Sequence, residues 1–360
     1  MDFLTAILFI TGFVLLIVGA ESLVRGASRL AVAAGISPLV VGLTVVAYGT
    51  SAPELAVTVQ STYNAQPDLA IGNVVGSNIS NVLLVLGVSA LVSPLVVSRQ
   101  LVRFSLPIML LAALALPLMG LDGNISRVDG LILVLGAILY TTYTVRRSRA
   151  STFESNSELM PDRSPARQMA MQLGLIVVGL ALLLLGANWL VNGAVAAAEA
   201  LGVSKLIIGL TVVAVGTSLP EVATSVVAGF QGQRDIAVGN VVGSNVFNIL
   251  LVLGLTAIVS PDGVRVSQPA MRFDIPIMLG VSVTCLPVFF TGYLIRRWEG
   301  AMFLAYYAAY TLFLYLQATR HEALSPFSTV MLGFLIPLTA VTLIGLAWRA
   351  FHLERKLKPD

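Results

Sequence analysis

Apolar runs of about 20 residues, separated by short polar breaks, follow one another along the whole of this chain. In lipid, every backbone polar group must be satisfied within the protein, so such runs fold as membrane-spanning helices. Composition agrees where it discriminates: 57% of the 360 residues are hydrophobic and 11% are charged, against about 25% charged in a soluble domain. The runs place spans at about 4–33, 37–63, 68–93, 102–120, 126–145, 168–201, 204–231, 235–259, 270–292, 299–318 and 327–349. The first run lacks a basic flank and continues too far for a cleaved leader, so it reads as a retained span. One long polar break, 146–167, carries Arg146, Arg147, Arg149, Arg163 and Arg167. The single cysteine, Cys285, lies in an apolar run, which excludes a disulfide framework and a thiolate metal site.

Lys and Arg set the orientation. With the N-terminus outside, the inside set is Arg25, Arg29, Arg99, Arg103, Arg146, Arg147, Arg149, Arg163, Arg167, Arg234, Arg296, Arg297, Arg349, Arg355, Lys356 and Lys358. The outside set is Arg127, Lys205, Arg265, Arg272 and Arg320. Sixteen against five predicts an N-out, C-in, multi-pass protein of the cell inner (plasma) membrane. The net charge of +3 therefore reports topology and gives no sign of a nucleic-acid partner. No obligatory protein partner is evident.

The chain also repeats itself. Gly42 to Glu54 reads GLTVVAYGTSAPE, and Gly209 to Glu221 reads GLTVVAVGTSLPE. At the same offset of 167, AIGNVVGSNISNVLLVLG from Ala70 recurs as AVGNVVGSNVFNILLVLG from Ala237. Arg127-Val-Asp-Gly and Arg297-Trp-Glu-Gly open the fifth and tenth spans at an offset of 170. Five spans per copy is odd, so the second copy enters the membrane from the opposite side, the plan of secondary transporters. The predicted fold is an all-α polytopic membrane protein with two inverted five-helix repeats, ten core spans and a C-terminal extra span. Its parts are repeat 1 (1–145), a cytoplasmic linker (146–167), repeat 2 (168–318), and the extra span with a basic tail (319–360).

Each Gly-Thr-Ser-x-Pro-Glu segment puts polar groups where lipid excludes them. Pro53 and Pro220 lack an N–H and crowd the carbonyls of Gly49 and Gly216, four residues back. Carbonyls freed in lipid cost several kcal/mol each unless something satisfies them, and a bound cation does so. Thr50, Ser51, Thr217 and Ser218 add hydroxyl oxygens, and Glu54 and Glu221 add charge. All are hard donors, suited to Na⁺ and Ca²⁺. A kinked helix patched by hydroxyls explains the proline but not a carboxylate beside it in both copies. In Gly-Asn-x-x-Gly-Ser-Asn-x-x-Asn, Ser77 and Asn81 share a helix face, as do Ser244 and Asn248. These four read as further ligands. The glycines read as close-packing positions, and Asn73, Asn78, Asn240 and Asn245 as braces for the broken helices.

On these motifs the chain resembles the Na⁺/Ca²⁺ exchanger family of the cation/Ca²⁺ antiporter superfamily, in its compact prokaryotic form. The resemblance covers the ten repeat spans. It implies that the second, third, seventh and eighth spans enclose the ions near mid-membrane, with Glu54 and Glu221 as acidic ligands. It also implies backbone carbonyl ligands at Ala47 and Ala214, and first and sixth spans that slide across the core to alternate access. Some members carry Asp where this chain has Asn248, so the core here holds two carboxylates, not three. In K⁺-dependent relatives an acid in the second repeat accompanies K⁺ use, and its absence implies K⁺-independent exchange.

The expected activity is Na⁺/Ca²⁺ antiport by alternating access, extruding Ca²⁺ down an inward Na⁺ gradient, with no cofactor beyond the transported ions. One Ca²⁺ neutralises two ionised glutamates, and several Na⁺ can compete for the same oxygens. The alternative is an H⁺-coupled antiporter of Ca²⁺ or another cation, in which protons replace Na⁺ on the glutamates. An intramembrane serine hydrolase is disfavoured because neither histidine lies in a span and no lysine lies near the serines. A passive channel is disfavoured because broken helices in inverted halves suit alternating access.

Overall fold

The structure is a computed structural model that describes residues 3–64, 66–155, 165–203 and 205–356. Helix α1 spans Phe3–Ala34, and α2 is a broken helix of Pro38–Thr50 (α2a) and Ala52–Tyr63 (α2b), bent by 41°. Pro67–Val92 is α3 and Leu101–Met119 is α4. Arg127–Ser155 is α5 and Pro165–Ala200 is α6. The next helix is again in two pieces. Lys205–Ile208, Gly209–Val213 and Ala214–Gly216 form α7a, and Leu219–Phe230 is α7b. Arg234–Val259 is α8, Ala270–Phe290 is α9 and Arg297–Ala318 is α10. The last helix, α11, runs through Leu324–Val330, Met331–Leu335 and Ile336–Lys356. Nine of the described helices are individually long and apolar enough to cross a membrane, and α2 makes a tenth across its bend. The two short pieces of α7 together occupy the remaining expected span.

The break expected at 146–167 is narrower than its polarity suggests. Helix α5 continues to Ser155, because no Gly or Pro interrupts 146–155 and its Arg, Ala and Glu are good helix formers. The next helix opens at Pro165, where a missing N–H costs nothing. Residues 156–164, with Arg163, and Lys358 lie outside the described residues. Glu21 and Arg25 on α1 form an i,i+4 ion pair.

Four two-residue strands tie the connecting loops together: β1 (Leu95–Val96), β2 (Asn124–Ile125), β3 (Val264–Arg265) and β4 (Leu294–Ile295). β1 pairs antiparallel with β4, and β2 with β3. The α3–α4 loop therefore lies on the same face as the α9–α10 loop, and the α4–α5 loop with the α8–α9 loop. Repeats of the same orientation would put β1 and β4 on opposite faces, so this pairing is the one an inverted repeat requires.

Glycines make the two repeats meet. A Cβ at Gly12 of α1 would lie 2.8 Å from the Gly186 carbonyl oxygen of α6, and one at Gly19 would lie 2.8 Å from that of Gly179. The order is crosswise, so α1 and α6 run antiparallel with their backbones in contact, a small-residue seam suited to lipid. The same device recurs between α5 and α8 (Gly130 against the Gly254 carbonyl) and between α10 and α3 (Gly300 against that of Gly87). Gly186→Leu is expected to cost about 1–3 kcal/mol through overpacking. Gly174→Leu on the same helix, where no described atom lies within 4 Å of a built Cβ, is expected to cost little. Thermal unfolding of the purified protein in detergent compares them.

Candidate cation cage

The four helices that carry the two motifs converge. α2b packs on α3, α7b on α8, and α2a along α8. Each is locally irregular at the motif. Ser51 and Ser218 adopt nearly the same non-helical backbone (φ −82°, ψ 6° and φ −87°, ψ 1°), and each is followed by a helix with proline in its first turn. Upstream, Gly42–Val46 and Gly209–Val213 widen into π-helical turns, a feature frequent at functional sites. Thr44 donates to the Val40 carbonyl at 2.6 Å, and Thr211 to that of Ile207 at 2.7 Å. In α3 and α8 the wide turns are Asn81–Leu86 and Asn248–Leu253, so both candidate asparagines sit where the helical ladder opens.

Glu54 and Glu221 are both buried, each 1% exposed, so water does not reach their charges. They lie close enough to repel one another, and the Thr50 hydroxyl lies beside the Glu221 carboxyl. Ala47, Thr50, Ser51, Ser77, Asn81, Ser218, Ser244 and Asn248 are also buried, whereas Thr217 is half-buried. The Ala47 carbonyl accepts from the Ser51 amide at 3.1 Å and keeps one lone pair. In the second copy the Ser218 amide donates to the Val215 carbonyl at 3.1 Å.

The braces are built as a pair. The Asn73 side-chain amide donates to the Glu54 carbonyl at 3.1 Å and to the Thr58 hydroxyl at 2.8 Å. The Asn240 amide donates to the Glu221 carbonyl at 3.5 Å and to the Ser225 hydroxyl at 3.0 Å. Each thereby fixes the helical turn that aims its glutamate. Asn240 does more, because its oxygen accepts from the Thr50 hydroxyl of the other repeat at 3.1 Å. The reciprocal bond from Thr217 to Asn73 is not formed among the described residues.

Buried polar atoms are normally hydrogen-bonded, and here a set of them is not. Among the described residues the unpartnered atoms include the hydroxyls of Ser51, Ser218 and Ser244, Oε2 of Glu54, both carboxylate oxygens of Glu221, and the side-chain oxygens of Asn81 and Asn248. They come from all four helices and both repeats. Every one is a hard oxygen acceptor, the donor set that suits Na⁺ or Ca²⁺. No cluster of three His, Cys, Asp or Glu side chains is present among the described residues, so neutral oxygens must complete any cation shell around the two carboxylates.

The two ends of the cage differ. On the α2a side Gly42, Gly239 and Gly243 are buried. A Cβ at Gly243 would meet the Leu43 carbonyl at 2.6 Å and the Ala47 side chain at 2.7 Å. On the α7a side the repeat equivalents Gly72 and Gly209 are exposed and Gly76 is half-buried. The closed side is reinforced by Tyr48, whose ring stacks on Phe247 at 3.8 Å and whose hydroxyl meets Thr141 at 3.0 Å. Val215 and Ser80 occupy those two positions in the other copy.

Two polar residues were not marked from sequence. Tyr48 sits in an apolar run, at a position where the two thirteen-residue copies differ by an aromatic hydroxyl. Thr224, fully buried with an unpartnered hydroxyl, lies three residues after Glu221 on the same helix face. That spacing was a readable signal.

Comparison with known proteins places this cage in a family setting. The family model described as sodium/calcium exchanger protein matches residues 4–146 and 171–316. The chain is 38% identical over 284 residues to the inner membrane protein YrbG of Escherichia coli, covering 78% of this chain and 87% of that one. It is 33% identical over 344 residues to the sodium/calcium exchanger MaX1 of Methanosarcina acetivorans, covering 86% and 98%. A solved structure of the sodium-calcium exchanger NCX_Mj, soaked with 10 mM Na⁺ and no Ca²⁺, superposes with a TM-score of 0.73 at 31% identity, covering 89% of this chain and all of that one.

Proposed function

The chain belongs to the sodium/calcium exchanger family, and on that premise we propose that it exchanges Na⁺ for Ca²⁺ across the cell's inner (plasma) membrane, without K⁺, and extrudes Ca²⁺. The observation that carries this reading is the set of unpartnered buried oxygens on the four motif helices of both repeats, Glu54 and Glu221 among them. One Ca²⁺ balances the two carboxylates. Several Na⁺ distribute over the same hydroxyl, amide and carbonyl oxygens of Thr50, Ser51, Ser77, Asn81, Thr217, Ser218, Ser244, Asn248, Ala47 and Ala214. Ions that compete for one cage, opened to one side at a time, exchange without covalent chemistry.

In the N-out orientation, the tightly packed α2a side faces the cytoplasm and the more loosely packed α7a side faces outward. Alternation closes α3 on α7a and frees α8 from α2a. The α1–α6 seam supports movement of those two helices as one body, because their backbones touch at four glycines. Asn248 leaves the cage with two acids, which supports K⁺-independent exchange.

The test is ⁴⁵Ca²⁺ uptake into proteoliposomes loaded with Na⁺, at equal pH on both sides. Uptake is expected to require the outward Na⁺ gradient and to be unchanged when external K⁺ is replaced by choline. Uptake that follows a pH gradient and ignores Na⁺ would establish the H⁺-coupled alternative instead.

A further inference from the structure

Helix α11 lies beyond the part of the chain that the family model matches, which ends at residue 316. It is also poorly packed: only 6% of its span window is buried. A polar clasp holds it to α10. The Tyr306 hydroxyl meets the Thr339 hydroxyl at 2.5 Å and donates to the Leu335 carbonyl at 3.1 Å. Around that clasp, α11 stands away from α9 and α10 and leaves a cleft of about 670 Å³. A second cleft of about 520 Å³ continues along α9 past Pro287 toward Trp348, sharing Val283, Thr284, Ala340 and Leu343 with the first.

The cleft opens on the outer surface of the helix bundle, where in a membrane lipid is the surrounding medium. Its walls are almost wholly apolar, so it does not hold water. Its volume is in the range that encloses a bound organic ligand. Within a bilayer the available filler is an acyl chain. One feature of the wall is not apolar. Arg272, near the start of α9, is the sole charged side chain lining the first cleft among the described residues. It is exposed and forms no salt bridge among the described residues. Asp274, two residues on, lies beside Tyr310. Arg272 thus offers a cation at the membrane-surface end of a chain-shaped groove.

We propose that the cleft between α9, α10 and α11 is a phospholipid site, with one acyl chain filling the groove and an anionic headgroup paired with Arg272 through its phosphate. The charge complementarity selects an anionic over a zwitterionic lipid. The site also touches the transport machinery from behind. Its floor reaches Leu83, which lies in the same wide turn, Asn81–Leu86, as the candidate ligand Asn81. The bound chain supports that turn on the face away from the ions.

Native mass spectrometry of the full-length protein, extracted in mild detergent and offered equal phosphatidylglycerol and phosphatidylethanolamine, tests this directly. Wild type is expected to retain phosphatidylglycerol preferentially, and Arg272→Gln to lower that preference about fivefold. Gly280 lines the cleft and has open space beyond its Cα. Gly280→Trp is therefore expected to expel the bound lipid whatever its headgroup, and Gly280→Leu serves if the larger side chain prevents folding. Equal retention of the two lipids by wild type overturns the proposal. So does an equal loss of preference in Arg320→Gln, an exposed arginine outside the cleft, because the lipid is then held by the general surface. These readouts do not depend on transport, so they stand apart from the choice of coupling ion.

Discussion

Glu221→Gln is expected to abolish Na⁺-driven Ca²⁺ uptake while leaving the protein folded, and Glu54→Gln is expected to do the same. Both carboxylates are buried, and neither forms a salt bridge among the described residues. Glutamine keeps the side-chain volume and one oxygen but removes a charge. Removing one partner from a buried charge interaction costs on the order of 3–5 kcal/mol, or roughly a hundredfold to several thousandfold in Ca²⁺ affinity. A divalent ion loses more than a monovalent one, so Na⁺ binding is expected to weaken less than Ca²⁺ binding. Stability of the ion-free protein is expected to hold or rise, because two mutually repelling buried groups become one. Isothermal titration with Ca²⁺ and with Na⁺, beside the proteoliposome assay, separates these effects. Full exchange in either variant removes the two-carboxylate cage as an explanation.

Gly76→Leu is expected to fold, to bind ions and to fail in transport. In the present state no described atom lies within 4 Å of a Cβ built at Gly76, and Gly76 is half-buried where Gly243 is fully buried. Its repeat equivalent, Gly243, already presses on the Leu43 carbonyl and on Ala47. Alternation in an inverted repeat requires the two halves to exchange conformations, so Gly76 must come to pack on α7a as Gly243 now packs on α2a. Leucine there obstructs that closure. Gly243→Leu, by contrast, is expected to disrupt the closed face at once, at about 1–3 kcal/mol or more. The pair is read by transport, by Ca²⁺ titration and by thermal unfolding. Normal exchange by Gly76→Leu would show that α3 and α7a never approach as α8 and α2a do.

Much of this architecture was legible because lipid leaves a sequence few options. A Gly-Thr-Ser-x-Pro-Glu segment inside an apolar run has no benign reading when it occurs twice, and both copies do break their helices at the serine. The buried, unpartnered oxygens of Ser51, Ser218, Ser244, Asn81 and Asn248 belong to residues the motifs had marked. What spacing could not reveal was connection between repeats. Asn240 reads locally as a brace for Glu221, yet it also accepts from Thr50, 190 positions away. Tyr48 reads as one more apolar residue, and only its stack on Phe247 shows that it helps seal one side. The helical run to Ser155 passes through the arginines of the polar break, because charge alone does not end a helix.

The sequence by itself determined that the chain crosses a membrane many times, that its two halves are copies of odd span number, and which oxygens lie where lipid would reject them. Those are consequences of backbone hydrogen bonding and of charge in a medium without water, and they act through local composition. Only the tertiary structure decided which side of the cage is shut. The two copies of Gly-x-x-x-Gly are the same in sequence, yet Gly239 and Gly243 are buried against α2a while Gly72 is exposed and Gly76 half-buried. A repeated sequence specifies two equivalent packings, and a single conformation closes one of them at a time.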